Sequence, residues 1–168
     1  MQLRWCCFIL WFLGSFLGRA QDSIFVSKNP TVNSIYARAI QLSYEERFAE
    51  ALPFFDQVIA LDPLVSEIYL DRGIIKTRIG DQTGAIADFT LQLALTPRLA
   101  DAYFLRGERY LQLHNYQSAW HDFKKVNRLD AGNADAYCFC AEAAQALHKV
   151  RQARKAATRC ADIKSQNN

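Results

Sequence analysis

The chain has 168 residues, 51% of them hydrophobic, with 20 basic side chains against 17 acidic ones. That length suffices for one core or one short array of repeats. The near balance of charge gives no reason to invoke nucleic acid as a partner.

The first 20 residues differ from the rest. Met1 to Arg4 make a short positive start, Trp5 to Gly18 is a 14-residue apolar run, and Gly18-Arg19-Ala20 places small residues around a cleavage point. This build predicts a secretory signal peptide cut after Ala20, and the run is short for a membrane span. An uncleaved anchor is the alternative, and membrane contact is expected only in that form. Cys6 and Cys7 stand at the start of the run, which disfavours lipid attachment. Loss of Arg4 and Arg19 would leave 18 basic residues against 17 acidic. Residues 21–31 read as a polar lead-in.

From there the chain repeats itself. Ala51, Ala85, Ala119 and Ala153 recur at one constant spacing, and the columns around them keep the same register. The units are 32–65, 66–99, 100–133 and 134–165. One column holds Ala39, Gly73, Gly107 and Ala141, and another Phe55, Phe89, Phe123 and Ala157. A third holds Leu61, Leu95, Leu129 and Ile163; Pro63 and Pro97 close the first two units. A fixed period of about 34 residues means stacked copies of one small unit. Small residues let two antiparallel helices cross closely, and the phenylalanines are expected to fill the space between one unit and the next. Gly80-Asp81 and His114-Asn115 punctuate the units internally, and Asp62-Pro63 and Thr96-Pro97 separate them. Pro53 is expected about four residues into a helix, where it would cost no hydrogen bond.

These columns resemble the tetratricopeptide repeat family, a helix–turn–helix unit with an aromatic, a Leu-Gly pair, Tyr, Ala, Phe and Pro at set offsets. Unit three fits best, with Tyr103, Arg106-Gly107, Tyr110, Ala119 and Phe123. Unit two has Tyr69, Arg72-Gly73, Ala85, Phe89 and Pro97, but Lys76 where the family has Tyr. Unit one has Ile35, Arg38-Ala39, Leu42, Ala51, Phe55 and Pro63. Unit four departs furthest, with Tyr137, Ala141, Ala144 and Ala153 and no aromatic at 157, as suits a terminal copy. The resemblance implies an all-α solenoid of four tandem hairpins in a right-handed superhelical stack. It also implies a protein-interaction module, because the first helices of such arrays line a concave groove.

Carried over column by column, that groove comprises Asn33, Tyr36, Ile40 and Tyr44; Glu67, Leu70, Ile74 and Arg78; Asp101, Phe104, Glu108 and Leu111; and Asp135, Cys138, Glu142 and Gln145. The set is apolar along one line with carboxylates at its rim, the pattern of an interaction patch. Several of these residues could instead pack between neighbouring helices. Family members that clamp acidic chaperone tails carry Lys, Asn and Arg in these columns. Tyr36, Ile40, Ile74, Phe104 and Glu108 cannot hold a carboxylate, so the expected partner is a peptide or helix with apolar anchors and some positive charge.

No Gly-rich phosphate loop, GxSxG, HExxH or paired-carboxylate motif is present, so no catalytic residue, cofactor or metal site is expected. Arg72 with Asp88 and Arg106 with Asp122 recur at one shared offset and should meet across each hairpin as structural ion pairs. Three cysteines follow the leader. Cys140 and Cys160 fall in core-facing columns, where a bridge is conceivable in an oxidising compartment; Cys138 is expected on another side of its helix. His114 and His148 share a turn column, and His121 sits on an exposed face. The last helix carries Lys149, Arg151, Arg154, Lys155, Arg159 and Lys164 against one Asp162. That excess reads as a solvated cap or as a contact for an acidic partner or membrane surface. The resulting expectation is an exported adaptor or assembly factor of a periplasm or cell envelope, with a purely structural spacer as the alternative.

Overall fold

The computed structural model describes residues 27–166, which form eight α-helices and, among the described residues, no strand. The proposed leader lies outside the described residues. No described helix is long and apolar enough to cross a membrane. The chain divides between Val65 and Ser66 into two compact units. The first holds one hairpin, α1 (Pro30–Tyr44) and α2 (Phe48–Leu61). The second holds three: α3 (Ser66–Arg78) with α4 (Gln82–Leu95), α5 (Ala100–Gln112) with α6 (Tyr116–Leu129), and α7 (Ala134–Ala146) with α8 (Val150–Gln166). In the second unit α4 packs on α5, α6 packs on α7, and α5 touches α7. This is the all-α repeat architecture expected from the period.

The period is written into the backbone. Glu46, Gly80, His114 and His148, which keep the spacing of the alanine column, all adopt positive φ (57, 87, 55 and 56°). Each follows the end of a first helix and reverses the chain. The amides of Arg47, Asp81, Asn115 and Lys149 then donate to the carbonyls of Leu42, Lys76, Tyr110 and Ala144. A bond of this reach across a left-handed residue is the Schellman closure, which satisfies carbonyls orphaned at the helix end. Second helices start cleanly where a side chain caps them: Asp81 accepts from the Gly84 amide and Asn115 from the Ser118 amide. In the first unit, α1 begins at Pro30, two residues ahead of the repeat frame. Asn29 caps it, and Ser27 pairs its backbone with the Asn33 side-chain amide while its hydroxyl donates to Asp62 (2.6 Å).

Packing follows the columns. Ala51, Ala85 and Ala119 are fully buried, as are Phe55, Phe89 and Phe123. In the second unit each phenylalanine lies against a glycine. A Cβ built on Gly73 would stand 2.6 Å from the Phe89 ring, and one on Gly107 would stand 3.0 Å from that of Phe123. The last hairpin has Ala141 and Ala157 instead, and a hollow of about 400 Å³ opens over them. Ala153, unlike its counterparts, is partly exposed.

Pro53 departs from expectation. α2 starts at Phe48, so Pro53 is its sixth residue, past the first turn, and the Ala49 carbonyl loses a backbone partner. The helix continues through the exposed ring nonetheless.

Replacing His114 or His148 with Gly should raise stability by about 0.5–1 kcal/mol each, because a side chain at positive φ carries strain that glycine lacks. Gly73→Ala should cost about 1–3 kcal/mol, since Phe89 is buried and has nowhere to move; Gly107→Ala should cost less. Urea midpoints of the four variants check both statements.

Candidate protein-interaction face

Two ion-pair clusters position α3 and α5 in the second unit. Arg72 donates to both oxygens of Asp88 (2.9 and 2.5 Å), and Arg106 to both of Asp122 (2.8 Å each). Asp88 and Asp122 are only 1% and 2% exposed. Carboxylates so deep need full hydrogen bonding, which a planar guanidinium fork supplies bidentately. The recurring pairs thus meet across their hairpins as expected. Lys76 adds a second cation 2.9 Å from Asp88, one turn beyond Arg72. Reading four residues on from Arg72 would have found it in the sequence. Arg106 reaches further still: it donates to Thr90 of the preceding hairpin (3.0 Å) and lies over the rings of Tyr103 and Tyr110. Burial pulls its pKa down, but the bonds and charge of Asp122 outweigh that and raise it.

Those anchors fix what α3 and α5 present; α7 packs on α6 and touches α5. Leu70, Ile74, Phe104 and Leu111 are half-buried. Phe104 and Leu111 pack on the core of the last two hairpins. The Phe104 ring meets Phe123 and Phe139 edge-on at 5.7 and 5.8 Å, and Phe139 stacks on Phe123 at 5.4 Å. Around them Glu67, Asp101, Asp135, Glu142 and Gln145 are exposed, as is Arg78. Asp135 pairs with Lys164 (3.1 Å). Glu108 lies close to Asp135 and beside Arg109 (3.6 Å). Desolvation raises its pKa, Arg109 opposes this and Asp135 adds to it.

In the first unit, by itself, Asn33 is tied to the Ser27 backbone and Ile40 is half-buried. Tyr36 is only 6% exposed and meets Phe55 edge-on at 6.2 Å, whereas Tyr44 is open to solvent. Tyr36 is therefore part of that hairpin's packing.

The cysteine pairing differs from expectation. Cys138 is bridged to Cys160, with Cα atoms 5.4 Å apart, and Cys140 is a buried free thiol. Helix geometry explains the change. Cys140 stands in the Arg72/Arg106 column, and the offset that joins Arg72 to Asp88 leads from it to buried Ala156. Cys160 lies one turn past Ala156 on an antiparallel helix, so it faces back towards the start of α7 and Cys138. Burial pushes the Cys140 thiol up to about 11, partly offset by Lys124. Among the described residues no group of His, Cys, Asp and Glu could hold a metal ion.

Asp122→Ala should cost about 3–5 kcal/mol by stranding Arg106, whereas Arg106→Met with Asp122→Leu should cost far less; chemical denaturation of both checks this. Glu108→Gln should stabilise the fold at neutral pH. Because the folded pKa of Glu108 is raised, its penalty is absent below the unfolded value of about 4.3 and grows as pH rises through the folded value. Denaturation midpoints of wild type and variant should therefore converge in acid.

No family model matches the chain, and no curated protein matches it. Solved structures do. The crystal structure of MamA protein superposes with a TM-score of 0.77 at 21% identity, covering 80% of this chain and 74% of that one. MamA 41-end from Desulfovibrio magneticus RS-1 gives 0.74 at 18% identity, covering 82% and 77%. The first TPR of Spaghetti (RPAP3), bound to HSP90 peptide SRMEEVD, gives 0.67 at 20% identity, covering 74% and 98%. At these identities the likeness concerns fold alone, and it agrees with the repeat columns: the chain has a tetratricopeptide-repeat-like, all-helical fold.

Proposed function

We propose that this chain is an exported interaction module that holds a peptide or helix of a partner protein on the face formed by α3, α5 and α7. The observation that carries this reading is the half-exposed line of Leu70, Ile74, Phe104 and Leu111, rimmed by exposed Glu67, Asp101, Asp135 and Glu142. Apolar anchors give affinity once desolvated, and a rim of one charge selects the partner's sign. A structural neighbour with a bound peptide supports the use of such a fold for peptide capture. That peptide carries more acidic than basic residues, whereas Ile74, Phe104 and Glu108 here offer no cation. The partner is therefore one with apolar anchors and positive charge, acting with an adaptor or assembly factor of a periplasm or cell envelope. The apolar leader supports export, and so does the Cys138–Cys160 bridge, since structural disulfides persist in oxidising compartments.

Ile74→Ser with Asp101→Lys should reduce partner capture from the native envelope at least tenfold, with helicity by circular dichroism unchanged. Both side chains reach solvent, so loss of fold does not confound the result; undiminished capture would sink the proposal. Tyr36 is unsuited to this test because it is core.

A further inference from the structure

A cleft of about 540 Å³ opens between α6, α7 and α8. Lys124 and Arg128 line it from α6, Lys155 and Arg159 from α8, and Trp120, Asn127 and Tyr137 contribute between them. No carboxylate lines the cleft. Among the described residues none of its four cations is held in an ion pair. Lys124 instead stands over the Trp120 ring, 4.1 Å from its centre. Lys149 stands over the same ring at 3.5 Å, fixed by its bond to Gln117. Cations gathered without counter-charge in a walled cleft repel one another and raise the local concentration of anions. Lys124 is half-buried, and Arg128, Lys155 and Arg159 reach solvent at the mouth of the cleft. Lys155 and Arg159 also border the outer side of α8, where Arg151 and Arg154 lie outside the cleft and near Asp162.

We propose that this cleft is a second binding site, taking an acidic, extended segment of a protein partner. The cations would hold its carboxylates, and the faces of Trp120 and Tyr137 would cover its aliphatic stems. Size favours a peptide over a lone inorganic anion, since the cleft has the volume of a small-molecule pocket. Asn127 favours it too: its Oδ1 is buried with no hydrogen-bond partner. That acceptor suits a backbone N–H, which a peptide carries and a carboxylate or phosphate group lacks. A flat anionic membrane could not enter a cleft between three helices, whereas an extended chain can. The site is independent of the face formed by the first helices, and the two differ in sign of charge.

The test is fluorescence anisotropy of labelled hexaglutamate titrated with the full chain. Saturable binding that weakens with added salt is expected. Lys124→Glu with Arg159→Glu should lower affinity roughly tenfold or more, and Arg151→Glu with Arg154→Glu by less than about twofold, at equal net charge. Circular dichroism verifies that both variants fold. Equal losses in the two variants, or no binding by the wild type, would overturn the proposal. It would also be overturned if phosphatidylserine vesicles bound in a cleft-dependent way and the peptide did not. Ile74→Ser with Asp101→Lys should leave hexaglutamate binding intact, which separates this site from the first.

Discussion

Everything exposed on this molecule depends on how closely two helices of a hairpin can approach. In the second unit that distance is set by Phe89 against Gly73 and Phe123 against Gly107, where a single added carbon would touch the ring. Interiors are packed like crystals, so a contact of this kind fixes the rotation of each helix about its axis as well as its separation. Rotation then decides which side chains reach solvent. The half-exposed apolar line on α3 and α5 is a consequence of these buried rings.

The ion pairs act on that arrangement differently. A buried carboxylate bonded by a guanidinium adds little net stability over an apolar pair, but it penalises any alternative in which one partner is stranded. Arg72 with Asp88 and Arg106 with Asp122 therefore set the register of the helices they join. Arg106, through Thr90, extends this to the neighbouring hairpin. The last hairpin has no such pair: Cys140 and Ala156 occupy its columns and lie in an apolar core.

The hairpins, their order and their turn positions were legible because each relies on local chemistry repeated at a fixed interval. The charge pairs were legible for the same reason, since one offset recurred. Cys138–Cys160 was missed because helix columns convey which residues face inwards but not how far along the axis two antiparallel partners stand; one turn on either helix exchanges for a similar run on the other. Pro53 was misplaced through an uncertain helix start, which shifted it across the boundary of the first turn. The cleft at Trp120 draws on α6, α7 and α8 together, and Lys149 reaches Trp120 from the following hairpin. No motif within one element could disclose it. Tyr36 shows the converse: a column that faces outwards in the family serves here as packing against Phe55.

The disulfide has a consequence for the way this array comes apart. Repeat proteins lose structure from their ends, because a terminal unit has one neighbour rather than two. Here the terminal hairpin also lacks the buried phenylalanine and the buried ion pair of the two hairpins before it. Its cross-link closes a loop spanning 22 residues, for which the chain-entropy account gives about 3 kcal/mol. That places the covalent constraint at the weakest position of the stack and couples the fraying of its end to the redox state of the surroundings. In a reducing environment α8 would be the first element to detach, taking Lys155 and Arg159 away from α6 and dismantling the cationic cleft before the rest of the fold is affected.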